Sequence, residues 1–277
     1  MTNKNPIYLF SPQSNVWKNV SRRLQSAHKL ALFLDYDGTL TPIRYTPSAA
    51  ILTKEAEHVL QQIAKLRNVS LTIVTGRSME DIRRLVPIEN IGIAANHGFH
   101  ILRNGYEWIH PDAVRLIQTF SRLHAILRNK LEIFPKALAE NKQFTLSVHY
   151  RNISENKVSS LKSLVMKIVR SFDSTLKITR GKKVLEVRPK IVWGKGNAVL
   201  EILRTSKYSH RPLPIFIGDD TTDEDVFQVL RSKGITIRVG KSLTTKAKYF
   251  VEDVNDVLLL LKLILELRNS SHPHNRP

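Results

Sequence analysis

Leu30-Ala31-Leu32-Phe33-Leu34-Asp35-Tyr36-Asp37-Gly38-Thr39-Leu40-Thr41-Pro42 is the stretch on which the fold turns. Apolar residues run straight into two aspartates one residue apart, followed by glycine, threonine and proline. A short continuous apolar run closed by turn residues reads as a strand buried on both faces, as in a parallel sheet. In open α/β sheets ligands bind beyond the carboxyl ends of the strands, so Asp35 and Asp37 are expected at the mouth of a site. Two carboxylates this close repel, and a hard cation such as Mg2+ lets both ionise. The string also fits a plain turn, since Asp-Gly is a common turn pair and an aspartate after a strand often caps a helix. The rest of the chain decides between the two.

Working outward, residues 15–28 carry Val16, Val20, Leu24 and Ala27 at helical spacing. Thr53 is placed to cap a helix from Lys54, whose stripe is Ala56, Val59, Leu60, Ile63 and Leu66. Val69–Val74 reads as a second buried strand, ending in Thr75-Gly76-Arg77-Ser78, with a short helix over Met79–Leu85. Residues 91–95 read as a third strand, ending at Asn96-His97-Gly98-Phe99. Strand and helix in alternation give a doubly wound, Rossmann-like parallel sheet. The pattern resumes near the C-terminus. Lys195-Gly196 opens a helix, and residues 213–217 form a strand ending at Gly218-Asp219-Asp220. A helix over 223–230, a strand over 234–239 and a final helix over 254–267 complete it.

Between the two halves the periodicity changes. Residues 112–131 read as one helix, and 156–169 as another. Residues 143–150 alternate, with Phe144, Leu146, Val148 and Tyr150 on one face and Thr145, Ser147 and His149 on the other, which predicts a half-exposed antiparallel strand. Residues 176–179 and 183–188 read as a hairpin around Arg180-Gly181-Lys182. The expected fold is therefore an α/β core over 1–104 and 190–277, with an α+β domain inserted at 105–189. Residues 1–13 are expected to be an arm or loop, and 269–277 a disordered tail.

Composition narrows the function classes. The chain has 277 residues, 42% hydrophobic and 24% charged, enough for one large domain or two modest ones. A net charge of +19 attracts nucleic acid, anionic membranes or anionic substrates. Lysines and arginines are nevertheless spread without a run of five or six, and the aromatics do not interleave with a basic patch. Nucleic acid is not expected as the main partner, although a basic nucleic-acid-binding or regulatory protein on such a scaffold is the rival of another class. The absence of cysteine excludes disulfides, thiolate metal sites and thiol nucleophiles. The N-terminus lacks an apolar signal core, and no apolar run is long enough to span a bilayer. A soluble cytoplasmic protein with no membrane partner is expected, and nothing in the sequence sets its oligomeric state.

Four pieces thus share one edge of the predicted sheet: Asp35-x-Asp37, Thr75-Gly76-Arg77, Lys195, and Gly218-Asp219-Asp220-x-x-Asp223. In this order and spacing they resemble the haloacid dehalogenase superfamily of phosphotransferases, over about 29–100 and 190–252. The resemblance implies that Asp35 attacks phosphorus and forms an aspartyl-phosphate. Asp37 then serves as acid and base. Mg2+ is expected on Asp35, the Asp37 carbonyl and Asp219, with Asp220 or Asp223 as a further ligand or support. Thr75 and backbone N–H groups around Tyr36, Gly76 and Arg77 hold phosphoryl oxygens, and Lys195 offsets charge between nucleophile and phosphate.

The wording of the motifs goes further. Phe33 to Pro42, Val74 to Ser78, Asn96 to Phe99, Val148-His149-Tyr150-Arg151, Lys183 to Pro189, Trp193 to Gly196 and Ile217 to Phe227 are together similar to trehalose-6-phosphate phosphatases. That resemblance implies a phosphorylated disaccharide as substrate and an inserted cap that closes over the sugar. Glu186 is then expected to accept hydrogen bonds from sugar hydroxyls. Arg151, Lys182 and Lys183 are further sugar-binding candidates. His97 either lines the sugar pocket or steadies its turn. One departure stands out: the position after His-Gly-Phe is commonly acidic in that family and is His100 here. Another phosphorylated sugar, such as sucrose 6-phosphate or a mannosyl phosphoglycerate, is the rival substrate.

Overall fold

The run Leu30–Leu34 is a strand buried along its whole length. Leu30, Leu32 and Leu34 join one apolar cluster with Leu24, Leu60 and Leu261, and Ala31 and Phe33 alternate to the opposite face, as the two-residue period of a strand requires. The computed structural model describes residues 5–206 and 210–270. Of the tail expected over 269–277, Asn269 and Ser270 instead end the last helix, and residues 271–277 lie outside the described residues.

Two units divide the chain: Met1–Glu107 with Gly194–Pro277, and Trp108–Trp193. In chain order the elements are β1 (Ile7–Tyr8), α1 (Val16–Ser26), β2 (Leu30–Leu34), α2 (Lys54–Ala64), β3 (Val69–Val74), α3 (Met79–Leu85), β4 (Gly92–Ala95), β5 (His100–Arg103) and β6 (Tyr106–Ile109). The inserted stretch adds α4 (Pro111–Val114), α5 (Ile117–Lys130), β7 (Leu138–Asn141), β8 (Leu146–His149), α6 (Glu155–Phe172), β9 (Leu176–Gly181) and β10 (Val184–Pro189). The chain returns through α7 (Lys195–Thr205), β11 (Leu213–Gly218), α8 (Glu224–Leu230), β12 (Ile235–Val239), β13 (Tyr249–Val251) and α9 (Val254–Ser270).

The first unit is built on a sheet of order β1-β13-β12-β11-β2-β3-β4-β5-β6, parallel from β1 to β4 and antiparallel between β4 and β5. From β2 the chain moves outward through β3 and β4. It restarts beside β2 at β11 and moves the other way. Strand order therefore reverses between β2 and β11, which opens a crevice at their carboxyl ends. Leu34 lies opposite Ile217 in the register, so Asp35 and Asp219 leave neighbouring strands close together. Helices α1, α2 and α9 cover the face carrying Leu32, Ile215 and Ile217. Phe216 points to the other face and meets Phe227 of α8 edge-on, with centroids 5.6 Å apart, a contact worth about 1 kcal/mol beyond area burial. Among the described residues no helix is long and apolar enough to cross a membrane.

The second unit is an antiparallel sheet of order β7-β8-β10-β9. Phe120, Leu123 and Leu127 of α5 and Leu161 and Val165 of α6 pack on one face, against Leu146, Val148, Leu185 and Val187. The other face carries a cross-strand row, Glu140–Ser147–Glu186–Thr179.

Several expectations change. Residues 7–8 are a strand rather than arm, because β13 offers them a parallel edge. The helix expected over 112–131 is two, α4 and α5, interrupted at Arg115 and Leu116; Val114, expected on its apolar face, is exposed. The β9–β10 turn is Lys182-Lys183 rather than Arg180-Gly181-Lys182, since Gly181 pairs with Val184 and Lys183 takes the positive φ of 64°. Its ammonium pairs with Glu155. The polar face expected over 143–150 is largely covered: Thr145 and Ser147 are buried, His149 is half-buried, and the Ser147 hydroxyl donates to Glu186.

Candidate active site

The loop after β2 winds tightly. Gly38 N–H donates to Thr41 O at 2.7 Å and Leu40 N–H to Tyr36 O at 2.9 Å. This turn needs glycine twice over. Gly38 has φ +84°, and a Cβ there would lie 2.1 Å from Asp219 Oδ2. The missing side chain is what lets the carboxylate after β11 approach the loop after β2. Asp35 is buried, and Thr39 Oγ1 donates to its Oδ2 at 3.3 Å. Tyr36 is wholly buried with its hydroxyl donating to Ala50 O at 2.7 Å, so its side chain belongs to the core.

Thr75 follows β3 directly, and its hydroxyl oxygen accepts the N–H of Arg77 at 3.1 Å. Gly76 is close-packed: a Cβ there would lie 2.6 Å from the His97 ring. Asn96, His97 and Gly98 all have positive φ, and His97 N–H donates to Thr75 O at 2.8 Å, which seats its imidazole over Gly76. Arg77 is buried and turns to Asp37, donating from Nε and Nη2 at 2.7 Å each. Its Nη1 meets Asp81 at 2.5 Å and its Nη2 also reaches Pro47 O at 2.8 Å. Burial works against the guanidinium charge, and the Asp37 and Asp81 hydrogen bonds outweigh it, holding the group further above its ordinary pKa.

Lys195 is the first residue of α7 and is buried. Its Nζ donates to Asp35 Oδ1 and to Asp223 Oδ1, both at 2.7 Å. Burial disfavours the ammonium, but Asp223 and Asp35 more than compensate and keep it protonated. Asp35 is pushed well up by burial, and by Asp223 and Asp219, with Lys195 pulling the other way. Asp223 Oδ2 accepts the N–H groups of Asp219 and Asp220 at 2.9 Å each, so both of its oxygens serve the loop and the lysine. Asp220 caps the same turn through its side chain.

Asp35, Asp219 and Asp223 offer carboxylate oxygens within 4.8 Å of one another, and among the described residues no second group of three potential ligands does. Three buried carboxylates facing one lysine are short of positive charge. The donors are all hard oxygens, which suits a divalent cation of the Mg2+ or Ca2+ type over a soft metal.

The second unit carries the other expected residues. Glu186 Oε1 accepts from Ser147 at 2.6 Å and lies 3.4 Å from Lys142 Nζ. Arg151 Nη2 donates to Lys182 O at 2.7 Å, bracing the β9–β10 turn. In the first unit, His100 Nε2 and Glu107 Oε1 share a 2.6 Å hydrogen bond, so this histidine brings a carboxylate with it.

The trehalose-phosphatase family model matches residues 33–255, which takes in the aspartate loop, Thr75 to Arg77, the whole inserted unit, Lys195 and Asp219 to Asp223. The chain belongs to the trehalose-phosphatase family. Within that family, trehalose-phosphate phosphatase B of Arabidopsis thaliana is 34% identical over 259 residues, covering 88% of this chain and 68% of the relative. A solved trehalose-6-phosphate phosphatase related protein is 28% identical with TM-score 0.77, covering 87% of this chain and all (100%) of the other. The C-terminal domain of the C. albicans trehalose-6-phosphate phosphatase shares the fold, with TM-score 0.79 at 22% identity over 95% of this chain and 98% of that one.

Family motifs did not lead to every residue that shapes these sites. Gly38 and Thr39 stand inside the quoted motif and could have been found from it. Lys142 and Ser147 could not, because their links to Glu186 depend on how distant strands assemble, across separations of 44 and 39 residues.

Proposed function

We propose that the protein is a Mg2+-dependent phosphomonoesterase that hydrolyses trehalose 6-phosphate to trehalose and phosphate. The observation that carries the reading is the joining of Asp35, Lys195, Asp219 and Asp223 at the β2–β11 crevice, in a chain of the trehalose-phosphatase family. A net charge of +19 suits an anionic substrate.

Asp35 attacks phosphorus. The bond from phosphorus to the sugar oxygen breaks, and Asp37 delivers a proton to that oxygen. Asp37 then takes a proton from water, whose oxygen attacks phosphorus and releases phosphate from Asp35. Thr75 and neighbouring N–H groups hold phosphoryl oxygens, and Lys195 offsets charge as nucleophile and phosphate meet. Mg2+ would be held by Asp35, the Asp37 carbonyl and Asp219, and when bound it supplies charge neutralisation and orientation of the phosphoryl group. Asp223 supports the site by fixing the loop and Lys195. On this reading the inserted unit serves as a cap, with Glu186, Arg151 and Lys182 as its sugar-binding candidates. Tyr36 contributes its backbone rather than its hydroxyl, which is engaged by Ala50.

The test is a panel of phosphate esters with Mg2+: trehalose 6-phosphate, sucrose 6-phosphate, a mannosyl phosphoglycerate and glucose 6-phosphate. The expected outcome is a kcat/KM for trehalose 6-phosphate at least about tenfold above the rest, which is about 1.4 kcal/mol of discrimination. Turnover no faster than that of glucose 6-phosphate overturns the substrate assignment.

A further inference from the structure

Arg77 follows Thr75-Gly76 in the stretch expected to hold phosphate, and a guanidinium there invites a phosphate-binding role. Its actual bonds point elsewhere. Nε and Nη2 take the two oxygens of the Asp37 carboxylate in a bidentate fork, 2.7 Å each. Nη1 is held by Asp81, and Nη2 also donates to Pro47 O. The guanidinium carbon stands 5.1 Å from the centroid of the Tyr36 ring. Asp81 is itself fixed, because Ser78 caps α3 by accepting the Asp81 N–H. The fork therefore hangs from a helix terminus and a buried ring. The Arg77 side chain is 6% exposed and that of Asp37 43%, so the rigid partner is the arginine and the accessible one is the carboxylate.

We propose that Arg77 is a positioning residue that acts through Asp37: it sets where the proton-transferring carboxylate points and takes no direct part in holding substrate. The inference rests on the phosphatase reading and on Asp37 as the proton-transfer group. An arginine fork fixes the plane of a carboxylate as well as its place, and a lysine does neither. Proton transfer demands a carboxyl oxygen within hydrogen-bond reach of the leaving oxygen, and later of the water, so a loose carboxylate costs both half-reactions.

The test separates the two halves. An aryl ester such as p-nitrophenyl phosphate leaves without a proton, so its first turnover does not need Asp37, whereas hydrolysis of the aspartyl-phosphate does. In Arg77→Ala and Arg77→Lys, the first turnover of p-nitrophenyl phosphate is expected within about threefold of wild type, followed by steady-state turnover slower by about 30- to 100-fold. With trehalose 6-phosphate the first turnover itself is expected to slow by a similar factor, with KM nearly unchanged. The lysine variant, which keeps the charge, covers the case in which the alanine variant does not fold. Equal losses in both phases and on both esters, or a raised KM with unchanged kcat, overturn the inference. If the wild type hydrolyses neither ester, the phosphatase reading fails instead.

Discussion

Lys195 Nζ lies 2.7 Å from Asp35 Oδ1 and holds Asp223 at the same distance. One cation thus joins the end of β2 to the loop after β11, across the point where the sheet reverses its order. Lys195→Met is expected to lower kcat by about two to three orders of magnitude, the usual loss for a charge-stabilising group. It also strands Asp35 and Asp223 in a buried site, a change that costs about 3–5 kcal/mol when one partner of a buried pair is removed. Urea unfolding checks this: the deficit should be largest with a chelator present and should shrink in millimolar Mg2+.

Gly38 permits a second close approach. In Gly38→Ala the new methyl meets Asp219 in a backbone conformation that already disfavours it. The expected result is a folded protein whose Mg2+ requirement rises by about 10- to 100-fold, the range seen when a metal's supporting residues are disturbed. Calorimetric titration with Mg2+ measures it, and unchanged affinity contradicts the placement of the cation beside Asp219.

Ser147 and Glu186 test the inserted unit. Glu186→Ala is expected to raise KM for trehalose 6-phosphate by about tenfold or more while leaving that for p-nitrophenyl phosphate nearly alone. Ser147→Ala removes one hydrogen bond to Glu186, worth about 1 kcal/mol, so a rise of about fivefold is expected. Equal effects on both esters exclude a sugar-specific role.

Glu140 supplies a pH test. Burial raises its pKa, but the hydrogen bond from His149 at 2.8 Å and the charge of Lys142 outweigh burial, and the net shift is downward. A carboxylate lowered by folding contributes stability above its unfolded pKa, and the contribution fades as pH falls through the folded value. The stability gap between wild type and Glu140→Gln should therefore be present at about pH 5.5 and close as pH falls below about 4.5. A gap that widens below about pH 4.5 reverses the sign and refutes the assignment.

The sequence reveals most where one segment carries its own signal. The buried strands β2, β3 and β11 are continuous apolar runs, and Thr53 caps α2 as its position predicts. Asp35 and Asp219 follow such runs directly, which is why a strand-end site is legible. Strand β1 is not: two residues have no periodicity, and Ile7–Tyr8 exists as a strand only through pairing with Tyr249 and Phe250. The β5–β6 hairpin did have a signal, Asn104-Gly105 with both φ values positive, the pair that tight two-residue turns favour.

Partnerships between distant segments are a different matter. Arg77 reads as a phosphate ligand from its neighbours in sequence, yet its carboxylate partner lies 40 residues away. No local pattern encodes that distance. The same holds for Lys142, which follows the short, mixed strand β7 and whose pairing with Glu186 comes from sheet order alone.

The most direct test is phosphate release from trehalose 6-phosphate in Mg2+, comparing wild type with Asp35→Asn. Wild type is expected to turn over, with activity lost in a chelator and restored by Mg2+. The asparagine variant is expected to fold yet retain less than about one part in a thousand of the rate, since an amide cannot form the covalent intermediate. An Asp35→Asn variant that releases phosphate at a rate near wild type contradicts the account.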